Sequence, residues 1–432
     1  MVFQHHVKKL VLCYFFTTLK PFYMVSKLRF LFIFILFSFF FFLFGLSISR
    51  HVYLGGSLIE KYRIQISSLA EILPNIYHLI YTSGVEGLFS PIRKTINEDK
   101  FNVPGLYSYL TKDGWVILDK SYITETIIPI EWEKLKNLYY KQRTNNISIN
   151  SKFAAVPVNP LKIADNIVFH LGGVLFKYNL KKKEFTALNG NAHHSIELFQ
   201  DSLLYFCSYG NDTLDILNDA ISLINIKTSK VIYKKSVVNI LLNNNLKSLL
   251  LGFNKISPSN NDLIHLNDIQ PVIKSTNFAI VGDLFLSFRH LSTVIHYRPS
   301  IDSILWHSTG PWLHQHDVDI LNEDMIGIYN NNNIREGKFL KNTYSNITTY
   351  NFKTGKYGFI HKQIFKNLKI QSFQGSRFEI LNNGNLFVED SPNGSYYLIS
   401  NEGNLISSKN FPFDRKNIVV GSWARPYTVK KY

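Results

Sequence analysis

From about residue 103 onward, apolar and polar residues alternate in short runs separated by tight polar turns. The period of two is that of a half-buried β-strand. One unit recurs, consisting of an apolar strand, a turn of Asn, Asp, Gly, Thr or Ser, then Lys and a second strand. Six such units are read as outer hairpins, at residues 108–119, 176–188, 223–233, 294–306, 349–360 and 397–406.

A repeat of this kind is typical of a radial arrangement, because a single blade cannot bury both of its faces without neighbouring blades. The pattern therefore predicts an all-β domain over residues 101–432, built as a six-bladed β-propeller. The last segment, residues 417–429, reads as a strand that closes the ring onto the first blade. A pair of β-sandwiches is the alternative.

A second repeat precedes three of the turns. Residues 194–198 align on their turn with residues 316–320, and residues 376–380 form a third copy that carries Ser376 and Arg377 at its first two positions. Residues at one position of a repeated unit occupy equivalent places around a common axis. We therefore expect His194 and His316 to converge.

The N-terminal part of the chain has a different pattern. Residues 30–48 are apolar and uncharged, long enough to span a bilayer as a helix. Basic residues are in excess before this segment, which predicts a cytoplasmic tail over residues 1–29, a single-pass signal anchor in the cell membrane and a propeller on the outer side. A cleaved signal peptide is the alternative. Apolar residues at helical spacing predict a helical stalk over residues 49–100.

Composition supports a well-packed protein, since hydrophobic residues are 46% of the chain and charged residues only 18%. The net charge is +16, but Lys and Arg are scattered, so no nucleic-acid partner is predicted and an anionic ligand is favoured. Cys13 and Cys207 lie on opposite sides of the proposed anchor and have no metal-site spacing. Cys207 is expected to be a small buried hydrophobic residue.

Three histidines and one arginine are the candidate chemical groups. His194, His265 and His316 lie 71 and 51 residues apart, about one blade each, and are expected in the same phase of their blades. Arg289 follows the strand at residues 282–288. Because innermost strands of a propeller end at the channel mouth, these side chains are expected to face one cavity. A metal site is an alternative, but Arg289 would repel a cation and favour an oxyanion.

Other polar residues are expected to have structural roles. The carboxylates of Asp317, Asp319, Glu197 and Asp268 are expected to bind backbone at strand ends or to orient the histidines. His5, His6, His51, His170 and His361 have no counterpart in the repeat, so they are expected at the surface or in packing.

Four segments together resemble the bacterial arylsulfotransferase family, PAPS-independent enzymes built on a six-bladed propeller: residues 193–198, 264–269, 282–294 and 315–331. The resemblance implies that a channel histidine attacks a phenolic sulfate ester, becomes sulfated and passes the sulfuryl group to another phenol. By position in the motifs, His316 would be that nucleophile. His194, His265 and Arg289 would bind sulfuryl oxygens and exchange a proton with the phenolic oxygen. The expected substrate-binding residues are His193, His314, Asn267 and Arg377.

The resemblance implies an aryl sulfate donor and a hydroxyl acceptor as partners, with no cofactor and no metal. The chain carries no Gly-rich phosphate loop, which agrees with a transfer that needs no nucleotide. It also departs from the family, whose well-studied members are longer and have an N-terminal β-sandwich and a disulfide. Two further hypotheses are a non-catalytic propeller that binds an anionic glycan or a protein partner at the cell envelope, and a metal-dependent hydrolase or lyase.

Overall fold

Antiparallel β-strands dominate the computed structural model, which describes residues 89–143, 149, 152, 154–210, 218–250, 262–334, 339–414 and 417–430. The predicted tail and anchor, and the predicted stalk up to residue 88, lie outside the described residues. In the described part of the chain, no helix is both long and apolar enough to span a membrane. The last residues of the predicted stalk hold a short strand and a 3₁₀ turn rather than an α-helix.

In chain order the strands are β1 (Phe89–Pro91), β2 (Gly105–Thr111), β3 (Gly114–Lys120), β4 (Glu125–Pro129), β5 (Val158–Ile163), β6 (Asn166–Leu171), β7 (Val174–Asn179), β8 (Glu184–Gln200), β9 (Leu203–Tyr209), β10 (Asp219–Asn225), β11 (Lys230–Ser236), β12 (Leu266–Pro271), β13 (Leu284–Phe288), β14 (Thr293–Arg298), β15 (Ser303–Thr309), β16 (Val318–Asn322), β17 (Met325–Asn330), β18 (Asn346–Asn351), β19 (Lys356–Ile360), β20 (Arg377–Ile380), β21 (Leu386–Asp390), β22 (Ser395–Ile399), β23 (Leu405–Asn410), β24 (Asn417–Val419) and β25 (Arg425–Pro426). The helices, none of which the alternation of the sequence predicted, are α1 (Trp132–Gln142), α2 (Val237–Asn243) and α3 (Lys362–Asn367).

The strands form blades of a propeller. Four separate four-stranded sheets have the orders β25-β2-β3-β4, β12-β13-β14-β15, β16-β17-β18-β19 and β20-β21-β22-β23. Strands β5 to β11 form one seven-stranded sheet, and β1 pairs with β24. The all-β propeller is confirmed. Among the described residues, however, four blades rather than six are separate four-stranded sheets.

The long strand β8 explains the difference in count. Its first part, as far as Asn191, pairs with β7, and its second part, from Ala192, pairs with β9. No turn interrupts the strand between these two parts, so the strands before and after it belong to one continuous sheet. A break between blades was expected here because the sequence pattern shows hairpins on both sides.

Five of the six expected outer hairpins form the outermost strand pair of their sheets, or of their half of the seven-stranded sheet. The exception is the hairpin at residues 108–119, which is the pair β2–β3 and has β4 outside it. Strand β25 supplies the innermost strand of this blade, pairing with β2 through Leu106 and Arg425. The C-terminal segment therefore joins the first blade, as the sequence predicted.

The core lies between neighbouring sheets. Adjacent residues of β13 point to opposite faces, because side chains alternate along a strand. Phe285 packs with Ile326 and Ile328 of the following blade, whereas Leu286 packs with Ile221 of the preceding sheet. Burial of each such side chain contributes about 1.5–3 kcal/mol, and apolar residues on both faces are therefore what hold consecutive blades together. Cys207 is fully buried in this core, as expected.

Hydrogen bonds between innermost strands fix one blade against the next. The Asp268 carboxylate accepts from the backbone N–H of Val318 at 2.8 Å. In the next blade the Asp317 carboxylate accepts from the N–H of Phe378 at 2.9 Å. These two aspartates therefore bind strand backbone, one of the roles expected of them. The innermost strands that they join carry the candidate site at their beginnings.

Candidate functional site

Residues from several blades line a cavity of about 460 Å³. Its walls include five of the residues that the sequence singled out: His193, His194, His265, Arg289 and His316. His193 and His194 come from β8, His265 precedes β12, Arg289 follows β13 and His316 precedes β16. Side chains distant in sequence therefore meet at the place where innermost strands begin.

A left-handed residue marks this place in every innermost strand. These residues are Asn159 (φ 56°), His194 (φ 52°), His265 (φ 55°), His314 (φ 51°), Ser376 (φ 76°) and Trp423 (φ 66°). Positive φ is uncommon outside glycine, with Asn and His enriched among the exceptions. The repeated conformation turns the chain from the loop at the cavity into the strand that follows.

The left-handed residues correct the expected alignment of the histidines. The core residue Ile269 follows the left-handed His265 by four positions, and Val318 follows His314 by four. In β8, however, Ile196 follows His194 by only two. His265 is thus in phase with His314, and not with His194 and His316 as the sequence suggested. The blades of β12 and β16 thus have two more residues between the left-handed residue and the core residue than the blade of β8. For this reason His316 lies two residues after the left-handed residue of its own blade, His314.

Both ring nitrogens of His316 are engaged. Its Nδ1 lies 2.8 Å from the Asn331 side-chain oxygen, and its Nε2 accepts a hydrogen bond of 3.0 Å from the backbone N–H of Gly375. Asn331 also donates to the Gly375 carbonyl oxygen at 3.1 Å. Since an amide oxygen only accepts, Nδ1 carries the hydrogen and the lone pair of Nε2 faces Gly375.

Electrostatics keep His316 uncharged. The side chain is buried, and burial followed by the nearby positive charge of Arg289 holds the pKa of His316 well below its usual range. A neutral imidazole with an in-plane lone pair is a nucleophile near neutral pH. Chemically, His316 is able to attack an electrophile only if the Gly375 N–H first moves off Nε2.

Hydrogen bonds from its guanidinium help to hold Arg289 at the cavity. One nitrogen donates to His290 Nε2 at 2.8 Å and another to the Phe373 carbonyl oxygen at 3.4 Å. His290 in turn donates from Nδ1 to the Asp262 carbonyl oxygen at 2.7 Å. Burial, with the neighbouring His265, lowers the pKa of His290 to about 4. Arg289 is therefore the fixed positive charge of the cavity.

The remaining histidines contact one another. His194 Nε2 lies 3.1 Å from His265 Nε2, and His194 Nδ1 lies 2.8 Å from His193 Nδ1. His265 Nδ1 lies 2.5 Å from an Asp262 carboxylate oxygen. Burial, followed by the charges of His265 and His193, holds the pKa of His194 well below its usual range. Burial opposes ionisation of Asp262, but its hydrogen bond with His265 brings the pKa of that carboxyl below the usual value.

Three residues expected to bind substrate lie outside the cavity wall. Asn267 donates to the Gln315 carbonyl oxygen at 2.7 Å and so joins two innermost strands. Arg377 is buried beside Glu379 and lines a separate cavity of about 210 Å³. The third, His314, lies 3.1 Å through Nδ1 from Asn333 Oδ1. Of the expected substrate-binding set, the cavity wall holds only His193.

The sequence did not point to several residues that the cavity contains. His170, assigned to surface or packing, is buried and lines the wall, with Nε2 3.1 Å from the His194 carbonyl oxygen. Burial lowers the pKa of His170 to about 4. Gly375, Tyr209 and Trp423 also line the wall, and Asn331 stands behind His316. Asn331 lay in a segment that carries the family resemblance, residues 315–331, and Trp423 in the predicted closing strand, residues 417–429.

A metal ion is a weaker fit to the same residues. Atoms of Asp262, His265 and His290 lie within 4.8 Å of one another, close enough to share an ion. However, His265 and His290 each already bond Asp262 through Nδ1, and the Arg289 guanidinium contacts the other nitrogen of His290. We therefore treat these side chains as hydrogen-bonding groups and identify none as a metal ligand.

A family model described as Arylsulfotransferase (ASST) matches residues 190–411, more than half of the chain. This range includes every candidate catalytic residue. None of the curated proteins compared with the chain matches it.

Several solved structures resemble the chain at low sequence identity. A protein of unknown function from Bacteroides caccae is 12% identical with a TM-score of 0.44, over 73% of this chain and 97% of its own. The WD40 β-propeller domain of Doa1 is 13% identical with a TM-score of 0.38, over 78% and 95%. A luciferin-regenerating enzyme is 12% identical with a TM-score of 0.40, over 64% and 94%.

Proposed function

The chain belongs to the arylsulfotransferase family, and on this premise we propose that it transfers a sulfuryl group from a phenolic sulfate ester to an acceptor hydroxyl through His316. One observation carries the proposal: His194, His265, Arg289 and His316 line the same cavity. A guanidinium beside a neutral imidazole suits an anionic ester, because Arg289 supplies N–H donors and one permanent positive charge while His316 can act as a nucleophile.

In the first half-reaction, the His316 Nε2 lone pair attacks sulfur while the bond from sulfur to the phenolic oxygen breaks. The phenolate leaves with the bonding electrons, and the sulfuryl group remains on Nε2. The Asn331 side chain holds the hydrogen on Nδ1 and so keeps Nε2 as the attacking atom. In the second half-reaction an acceptor oxygen attacks the same sulfur and His316 is regenerated.

Charge develops on the sulfuryl oxygens and on the departing phenolate during both steps. Arg289 is a rigidly placed donor beside His316, and one such donor contributes on the order of 3 kcal/mol to transition-state stabilisation. The Gly375 N–H has two successive roles in this scheme. It occupies Nε2 before the donor binds, and after moving aside it is placed to donate to a sulfuryl oxygen.

The test is release of 4-nitrophenolate from 4-nitrophenyl sulfate in the presence of phenol. Wild-type protein should turn over, and His316→Ala should lose turnover. His307→Ala is the matched control, because His307 is exposed on the outer strand β15. Incubated with donor alone, wild-type protein should gain the mass of one sulfuryl group and His316→Ala should not. Equal release by His316→Ala and wild type would remove the role given to His316.

The occupied Nε2 of His316 favours a second candidate, a non-catalytic propeller that binds an anionic glycan or protein partner at this cavity. In that case the Gly375 N–H would stay on Nε2. An aryl sulfate would then bind, as measured by calorimetry, but it would produce neither nitrophenolate nor a mass increase on the protein. The two candidates therefore differ in nitrophenolate release and in the mass of the protein after incubation with the donor.

Localisation and blade number complete the proposal. We place the protein in the cell membrane through residues 30–48, with the propeller on the outer side, because the segment is uncharged and preceded by basic residues. Alkaline extraction should leave the protein with the membranes, and external protease should reach the propeller in cells whose outer layers have been removed. We also count the two halves of the seven-stranded sheet as blades, which gives a ring of six.

A further inference from the structure

An unbroken row of close contacts connects two carboxylates through three imidazoles. It runs from Asp262 to His265 (2.5 Å), to His194 (3.1 Å), to His193 (2.8 Å) and to Asp219 (3.3 Å). His193 Nε2 also lies 3.2 Å from the Ser208 carbonyl oxygen. All six ring nitrogens take part in the row. Both of its ends are groups that, as carboxylates or carbonyls, only accept hydrogen bonds.

Counting hydrogens shows what the row requires. Each of the four contacts needs one hydrogen between its two atoms, since two lone pairs facing each other at these distances repel. Three neutral imidazoles carry only three hydrogens. The row is therefore completely hydrogen-bonded only when the three histidines share one additional proton, with a total charge of +1.

We propose that His193, His194 and His265, held between Asp219 and Asp262, form a relay that stores one proton and exchanges it with the phenolic oxygen. The inference rests on the sulfuryl transfer proposed above. It makes His193, Asp219 and Asp262 positioning residues that act through His194 and His265, a role that neither the repeat nor the family resemblance assigned to them.

Two arrangements of the four hydrogens satisfy all four contacts without a charge on the central ring. In one the additional proton is on His265, and in the other it is on His193. One arrangement becomes the other when two hydrogens move, one between His265 and His194 and one between His194 and His193. These two transfers also change which nitrogen of His194 carries its hydrogen. The pKa of His194, held well below its usual range mainly by burial, agrees with a central ring that passes the charge and does not keep it.

The surroundings of the row fix its ends. The carboxylate of Asp219 also accepts from the N–H of Leu266, the residue after His265, at 2.5 Å. The His290 ring lies 4.4 Å from the His265 ring, and the Tyr209 ring 4.5 Å from the His193 ring. Among the described residues, the other titratable or charged groups near the row are His170, Arg289 and His316. Only the two aspartates among these neighbours are negative, and they occupy opposite ends.

Each half-reaction balances with this relay. As the sulfur–oxygen bond breaks, the proton shared by His194 and His265 moves to the phenolate oxygen, and a neutral phenol leaves. The three imidazoles are then all neutral. When the acceptor phenol attacks sulfur, its hydroxyl proton returns to the same pair while the bond from sulfur to His316 Nε2 breaks. After the two half-reactions the relay again holds one additional proton.

The test compares two donors. Phenol, with a pKa of about 10, is a poor leaving group unless it is protonated, whereas 4-nitrophenolate leaves readily without a proton. In Asp262→Asn the amide N–H can donate to His265 Nδ1, so three neutral imidazoles complete all four contacts and the row stores no additional proton. Transfer from phenyl sulfate should fall on the order of 100-fold, and transfer from 4-nitrophenyl sulfate should change only a few-fold. His296→Gln, which alters a buried histidine paired with Asp283 outside the cavity, should leave the ratio between donors at its wild-type value.

A second measurement counts the proton directly. In nitrogen-15 spectra of histidine-labelled protein without substrate at neutral pH, we expect the signature of one imidazolium among the row, and its loss in Asp262→Asn. Equal losses for both donors, or three neutral rings in the wild-type spectra, would overturn the relay and leave the sulfuryl transfer standing. No transfer from any aryl sulfate by wild-type protein would overturn both, whatever the spectra show.

Discussion

At the scale of single residues, the cavity depends on which nitrogen of each ring carries a hydrogen. Asn331 bonds both His316 Nδ1 and the Gly375 carbonyl, so one amide side chain sets the tautomer of the proposed nucleophile and the position of the peptide that covers it. A small displacement of Gly375 would then make the Nε2 lone pair of His316 available. Gly375 has φ of 56°, and a Cβ there would lie 3.2 Å from Ser391 Cβ, so the position favours glycine.

Arg289→Lys is the sharpest residue-scale test of charge placement. The lysine ammonium keeps the positive charge, but it lacks the planar guanidinium of Arg289. It therefore cannot contact His290, Phe373 and a sulfuryl group at the same time. We expect transfer from 4-nitrophenyl sulfate to fall on the order of 10²–10³-fold. The thermal unfolding midpoint should stay close to that of wild type.

Arg298→Lys provides the matched control for this prediction. Arg298 forms the same kind of fork, with two nitrogens 2.7 and 2.8 Å from the Asp283 carboxylate, but it lies outside the cavity wall. This variant should keep its turnover. Wild-type turnover in Arg289→Lys would show that Arg289 does not contact the transferred group.

The sequence supplied some of these residues and not others, for physical reasons. His194, His265 and His316 stood out because they recur at the beginnings of repeated strands, and Arg289 because it ends one. Asp262 and Asp219 gave no such signal, since carboxylates are common in turns and only folding brings these two to opposite ends of the histidine row. Arg377 shares a repeat position with Asp317, but its side chain packs among acidic residues away from the cavity.

At the scale of strands and loops, buried carboxylates join successive blades and make stability depend on pH. Burial raises the pKa of Asp317 from its ordinary 3.8 to about 7, although Arg377 opposes the increase. The folded state then holds the proton more tightly than the unfolded chain. The stabilisation from this group is complete below about pH 4 and is lost as the pH rises to about 7.

Asp317→Asn should therefore reduce the dependence of stability on pH. The amide oxygen still accepts from the Phe378 N–H, but the side chain no longer ionises. Between pH 5 and pH 8, the free energy of unfolding should fall less in the variant than in wild type, by about 2–3 kcal/mol. Urea unfolding at a series of pH values measures this. Asp165→Asn, at an exposed position, is the control, and parallel profiles for Asp317→Asn and wild type would contradict the prediction.

Strands were easier to predict than their connections. Alternation located the hairpins, because a residue on a strand faces either one neighbouring sheet or the other. The 17-residue strand β8 was divided in the prediction, since alternation alone does not reveal that one strand serves two halves of a sheet. Helix α1 was not predicted, because its buried face consists only of Trp132, Leu135 and Tyr139, a pattern too short to stand out in the segment between two strands.

At the scale of the whole molecule, Arg425 joins the last innermost strand to its neighbours. Its guanidinium donates to the Asn159 side chain and to the Ile196 carbonyl, both at 2.8 Å, and pairs with Glu197. One side chain thus connects β25 with β5 and β8. Because the group is buried, its loss leaves Glu197 unpaired as well as removing the contacts.

Arg425→Ala should lower the free energy of unfolding by about 3–5 kcal/mol, the usual result of breaking a buried ion pair. Denaturant unfolding followed by tryptophan fluorescence measures this loss. Lys181→Ala is the control, since the Lys181–Asp165 pair is largely exposed and contributes at most about 1 kcal/mol. Similar losses for the two variants would mean that ring closure does not depend on Arg425.

The left-handed residues at the strand beginnings have a consequence for how new specificity would arise in this ring. Each of these residues has a positive φ, and this conformation does not depend on one side chain, because Asn, His, Ser and Trp occupy the six positions. The six positions therefore keep one backbone conformation while carrying different side chains. Replacing His194, His265 or Trp423, which line the cavity, with Asn or Gly should alter what the cavity recognises while the loops keep their course. Val or Ile at any of the six positions would distort the backbone.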